Sequence, residues 1–164
     1  MIINGAHLLQ AAPIKDMLPT KVRAHGVSHG LGEAGYDIRI KQSVIFRPTT
    51  AMNPARVFVD GVYEPGNFCI ASAIEEFDMP SHLVGIVHDK STWARQGLSV
   101  FNTCIEPGWK GWLTLELVYH GWKELVIPAG AGIAQVVFHE TSFPASYEGK
   151  YQNQPDQPVR AING

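Results

Sequence analysis

Glycine and proline punctuate this chain from end to end and leave only short apolar segments between them. There are 16 glycines and 11 prolines in 164 residues, about 16%, against a usual share of about 12%. The excess is spread along the whole length and marks no linker. Short apolar runs bounded by such breakers predict an all-β sandwich or barrel with many turns. The strand segments expected are Tyr36–Lys41, Ser43–Arg47, Arg56–Asp60, Phe68–Ile74, Leu83–His88, Leu98–Ile105, Gly111–Tyr119, Glu124–Ile127 and Ile133–His139. Turn signals separate most of them: Asp60-Gly61, Pro65-Gly66, Pro107-Gly108, His120-Gly121 and Pro128-Ala129-Gly130. Two places read as helical. Asn4 is a good N-cap for Ala6–Ala12, which Pro13 stops. Ser91–Gly97 reads as a short turn that Ser91 caps and Gly97 ends. Residues 15–35, rich in Gly and His, read as irregular.

The length argues for one domain over residues 1–164, with no internal repeat or boundary. The polar tail after Pro144, with Pro155 and Pro158, reads as a mobile C-terminal arm from about residue 145. A formal net charge of −2 argues against a nucleic-acid partner, which calls for a basic chain. No apolar stretch approaches the roughly 18 residues of a membrane span. The start, MIINGAHLLQ, carries no secretory pattern. Cys69 and Cys104 are too few for a disulfide framework, so a cytoplasmic location is expected.

Two features carry chemistry. Lys90 precedes the helical turn, and Arg95 lies four residues after Ser91 on the same face. Backbone N–H groups at a helix start, flanked by cations, suit an anionic ligand. In GWLTLELVY (111–119), alternation puts Leu113, Leu115, Leu117 and Tyr119 on a core face. Trp112, Thr114, Glu116 and Val118 then face the other way. Glu116 is open to two readings at this point. It is a solvent-facing glutamate on an antiparallel sheet, or a carboxylate in a partly apolar pocket whose raised pKa makes it a proton shuttle.

No metal site is expected. There is no Cys-x-x-Cys, and the zinc-deaminase signature is absent. His25 and His29 are four apart, but the glycines around them indicate ordinary loop histidines. No Walker-type phosphate loop occurs. Cys69 reads as a packed strand residue.

Five blocks in order resemble the dCTP deaminase and dUTPase superfamily: AGYDIRI (34–40), KSTWARQGLSV (90–100), IEPGWKGWLTLEL (105–117), PAGAGIAQVVF (128–138) and KYQNQ (150–154). The last is similar to the C-terminal block of the dCTP deaminase branch, and the Gly-rich lid motif of trimeric dUTPases is missing. The resemblance implies a distorted, jelly-roll-like β-barrel that assembles as a homotrimer, with sites at subunit interfaces. It implies a nucleoside triphosphate bound with Mg2+, which the triphosphate carries, and no zinc. Matched by position, Glu116 is the expected acid/base. Lys90, Ser91, Thr92 and Arg95 are the expected phosphate-binding turn, with Ser91 also positioning water. Thr114, Leu115 and Glu106 are expected at sugar and base, and Tyr147, Lys150 and Gln154 on the closing arm. The segment between Leu98 and Glu106 is about two residues shorter than in the deaminases, and Glu106 stands where the family usually has Asp.

The function this implies is zinc-independent deamination of dCTP to dUTP and ammonia, within pyrimidine deoxynucleotide metabolism. A dUTP diphosphatase, alone or combined with deamination, is one alternative. A catalytically silent nucleotide-binding trimer is another.

Overall fold

The computed structural model describes residues 1–164. In chain order the elements begin with β1 (Ile2–Ile3), α1 (Gly5–Ala11), β2 (Lys21–Ala24), β3 (Val27–Leu31) and β4 (Tyr36–Arg39). Then come β5 (Val44–Arg47), β6 (Arg56–Val59), β7 (Val62–Pro65), β8 (Phe68–Asp78) and β9 (Leu83–Asp89). The last are α2 (Ser91–Ala94), β10 (Leu98–Val100), β11 (Cys104–Ile105), β12 (Lys110–Tyr119), β13 (Leu125–Ile127) and β14 (Gly132–Glu140). The fold is mainly β and jelly-roll-like, as expected, and every strand pair is antiparallel.

Three sheets are present. The largest runs β11-β9-β14-β4-β3-β2, with β1 also on β14. The second is β10-β12-β8 and the third β13-β5-β6-β7. A single core cluster joins them: Tyr36 and Ile38 from β4, Ile40 just after it, Phe46 from β5, Phe77 from β8, Leu115 and Leu117 from β12, and Phe138 from β14. In β5 and β9 alternate residues are removed from water, whereas β4 and β14, inside the large sheet, are buried at nearly every position.

Four local readings need correction. Residues 15–35 are not irregular throughout. They hold the β2–β3 hairpin, in which Ala24 pairs with Val27. The two-residue turn is His25-Gly26 with φ of 54° and 77°, as a primed hairpin turn requires. Strand β7 follows the Asp60-Gly61 turn directly and was absent from the expected elements. The run 98–105 is not one strand: Leu98–Val100 pairs with β12, whereas Cys104–Ile105 pairs with β9 in another sheet. Asn4 and Ser91 do not cap helices through their side chains. Asn4 donates to the Glu33 carbonyl instead, and Lys90 occupies the N-cap of α2.

Candidate active site

The site is built on β12. Its pairing with β8 shifts register between Trp112 and Thr114. The extra residues of this irregularity lie on β8, since Trp112 pairs with Glu76 and Thr114 with Ser72. Leu113, Thr114 and Glu116 line one cavity, while Leu115 and Leu117 are fully buried. Leu113 packs against the core cluster, as expected, and is only partly buried because it also borders the cavity.

The cavity has a volume of about 720 Å3, within the roughly 300–1,000 Å3 common for small-molecule sites. Ile70 of β8, paired opposite Glu116, forms part of its apolar wall. Asn102 lines it from the segment between two sheets, Cys104 from β11, and Glu106 from the turn that follows. Tyr147, Tyr151, Gln154 and Val159 close it from the tail.

Glu116 is half-buried, and its carboxylate receives no hydrogen bond or ion pair from the chain; burial alone pushes its pKa up. Its backbone is tightly held. The Glu116 N–H donates to Asn102 Oδ1 at 3.0 Å, and its carbonyl accepts from Phe101 N–H at 2.8 Å. A carboxylate left unanswered in a partly apolar cavity holds its proton more readily than one in water. Of the two readings of Glu116, this is the pocket one.

The tail lies across the cavity in this structure. Trp109 Nε1 donates to the Tyr151 carbonyl at 2.6 Å, and Lys110 N–H donates to Gln152 Oε1 at 2.8 Å. Gln154 makes a parallel bridge to Gly111. Gly111 has φ of +127°, and a Cβ there would stand 2.6 Å from both the backbone N and O of Gln154. The position therefore requires glycine twice over, by backbone angle and by close approach. Thr114 Oγ1 donates to Gln154 Oε1 at 3.1 Å and accepts from Val159 N–H at 3.0 Å.

The expected residues divide into two groups. Glu106, Thr114, Glu116, Tyr147 and Gln154 meet in the cavity, whereas Lys90, Ser91, Thr92, Arg95 and Lys150 do not line it. Ser91, Thr92 and Arg95 are exposed on α2 and just after it. Lys90 does not offer a free ammonium. It pairs with Asp37 at 2.6 Å and Ser28 at 3.1 Å, with its side chain only 10% exposed. Lys150 donates to the Ile162 carbonyl and lies over the Tyr151 ring. The one cationic side chain in the cavity wall, Arg160, faces Glu64 at 3.3 Å. Sequence reasoning missed Asn102, Tyr151, Val159 and Arg160, which line the site from loop and tail without any periodic pattern.

No group of three or more His, Cys, Asp or Glu side chains converges. His25 lies in the turn of the β2–β3 hairpin, as expected of a loop histidine, whereas His29 lies in strand β3. Burial pushes the Cys69 thiol up to about 12, so it is a packed, inert side chain. No helix is long and apolar enough to cross a membrane.

The architecture is that of the dUTPases. The native EIAV dUTPase superimposes with a TM-score of 0.51 at 19% identity, covering 86% of this chain and 96% of that one. The Staphylococcus bacteriophage 80alpha dUTPase superimposes with a TM-score of 0.51 at 16% identity, covering 80% and 88%. Sequence narrows the class further. A family model described as dCTP deaminase-like matches residues 8–141. The dCTP deaminase of Roseiflexus castenholzii is 37% identical over 158 residues, covering 86% of each chain. That of Acidobacterium capsulatum is 35% identical over 177 aligned positions, covering 94% of this chain and 96% of its own. The chain belongs to the dCTP deaminase-like family.

Proposed function

We propose that the protein hydrolyses dCTP to dUTP and ammonia in pyrimidine deoxynucleotide metabolism, without zinc. The observation that carries this reading is Glu116: a carboxylate with no partner in the chain, raised by burial, on the wall of a nucleotide-sized cavity. Such a group accepts a proton from water near neutral pH. The water oxygen adds at C4 of the base, Glu116 takes the proton, and protons pass on toward N3 and the leaving amine. Tyr147 and Gln154 shield the reaction from bulk water, with Gln154 held by Thr114.

A triphosphate needs more positive charge than this cavity holds. Arg95 provides it, beside the Ser91 and Thr92 hydroxyls, on an exposed corner outside the cavity. We therefore place that corner of one copy against the Glu116 cavity of another, in a homotrimer. Lys90, fixed by Asp37, anchors the corner rather than meeting phosphate. Mg2+ enters with the triphosphate, since phosphate oxygens and water satisfy its octahedral shell. Both cysteines are free, which suits a reducing cytoplasm. Glu106 shares the cavity and supports a second reading, in which dUTP is also cleaved to dUMP and pyrophosphate.

The test is to incubate the protein with Mg2+ and dCTP or dUTP and to assay ammonia and pyrophosphate separately. Ammonia from dCTP is expected, from a particle whose light-scattering mass is near three times 18.0 kDa. Pyrophosphate from dUTP without ammonia from dCTP would replace deamination by the second reading. Neither product would overturn both.

A further inference from the structure

Asn102 marks the point where the chain leaves one sheet for another. Up to Val100 it runs as β10 against β12, and Phe101 N–H still donates to the Glu116 carbonyl. By Cys104 it has joined β9 in the large sheet. The cavity opens where the two sheets part, and Glu116 lies on the edge that β10 abandons.

That edge is not left bare. The Asn102 carboxamide donates from Nδ2 to the Thr114 carbonyl at 2.6 Å and accepts at Oδ1 from Glu116 N–H at 3.0 Å. These are the acceptor and donor that a continuing strand would have satisfied. One side chain thus closes the ladder beside the reacting carboxylate without filling the space in front of it. It touches both residues of β12 that matter to the site: Glu116, and Thr114, whose hydroxyl meets Gln154 and Val159 of the tail.

We infer that Asn102 is the positioning residue that holds the Glu116 carboxylate and the tail-binding Thr114 in register. The inference rests on the proposed role of Glu116. Asn102 itself acts on backbone and does no proton transfer. Removing its carboxamide leaves a donor and an acceptor unpaired beside the cavity, and β12 then relaxes locally. A displacement of about 1 Å at a reacting group costs about a hundredfold in rate.

The experiment compares wild type, Asn102→Ala and Asn102→Asp, with Glu116→Gln identifying the Glu116 resonance. Turnover and KM for dCTP are measured across pH, and the Glu116 side-chain carbon is titrated by NMR in each protein without nucleotide. Asn102→Ala should lower kcat by about ten- to a hundredfold while KM changes by less than about threefold. Asn102→Asp is isosteric but cannot donate to the Thr114 carbonyl, and it adds a negative charge near Glu116. Its Glu116 titration and the acid limb of its kcat profile should both move to higher pH. Wild-type kcat in Asn102→Ala, or an unmoved Glu116 titration in Asn102→Asp, would overturn the inference. If Asn102→Ala fails to fold, the Asn102→Asp titration decides alone. If wild type releases no ammonia but the titration moves as expected, the deaminase reading fails and the positioning role stands.

Discussion

Glu75 and Glu116 lie on neighbouring strands, β8 and β12, and burial pushes both carboxyls up. They differ in what answers them. Glu75 is 5% exposed and accepts from Arg39 twice, from its backbone N–H and from its Nε, each at 2.8 Å. Those bonds and the guanidinium charge pull its pKa back toward the ordinary range. Glu116 is less buried and has no such partner. An answered carboxylate ties two strands of different sheets together. An unanswered one stays open to a ligand. Burial of a charge alone does not separate structural from chemical groups; the presence of a built-in counterion does.

The largest effect that sharpens this contrast is on turnover. Glu116→Gln keeps the size of the side chain and faces no protein partner, so it should fold with an unchanged melting temperature. Its ammonia release from dCTP should drop by about a hundred- to ten-thousandfold, and the acid limb that the raised Glu116 imposes on the wild-type profile should vanish. Equal turnover in the two proteins would erase the distinction between the glutamates.

The mirror experiment removes the counterion of Glu75. Arg39→Met removes the guanidinium, leaves the buried carboxylate with only the backbone N–H of residue 39, and should cost about 3–5 kcal/mol of stability. Loss of Arg39 raises the folded pKa of Glu75 further above its unfolded value, so stability is kept at low pH and lost as pH rises through the carboxylate range. The destabilisation should therefore be greater at pH 8 than at pH 5 in denaturant titrations. A pH-independent loss would mean that Arg39 works through packing alone.

A smaller effect concerns the tail. Gly111→Ala places a Cβ against the Gln154 backbone, so residues 145–164 should become sensitive to limited proteolysis. Turnover should fall by about tenfold while the core melts as before, since a misplaced closing element lowers rate without unfolding the scaffold. Protection equal to wild type would show that the tail docks without its Gly111 bridge.

The smallest effect lies outside the pair, at His29. It is 6% exposed and its Nδ1 has no partner. Burial, then the Arg39 charge, hold its pKa below the usual histidine value. As pH falls below about 6.5, the unfolded chain takes up this proton first, so stability declines until the folded pKa is reached. His29→Gln should flatten that part of the melting-temperature profile. An unchanged slope would assign the acid sensitivity elsewhere.

What the chain's order of residues determined by itself was local. Breaker spacing and period-2 alternation marked nine segments, eight of which each hold a single strand, and the GWLTLELVY pattern placed Glu116 off the core face. These signals depend on neighbours within a few residues, where sterics and turn chemistry act. The β2–β3 hairpin escaped because VSHGL lacks alternation; its buried His29 and Gly30 are explained by pairing, not by hydrophobicity. Only tertiary structure decided the rest. Lys90 finds its counterion 53 residues away at Asp37, the run 98–105 divides between two sheets at Asn102, and β8 carries extra residues opposite Leu113. Each of these depends on which distant backbone lies within hydrogen-bonding reach, and that is set when the sheets pack, not by the composition of any one segment.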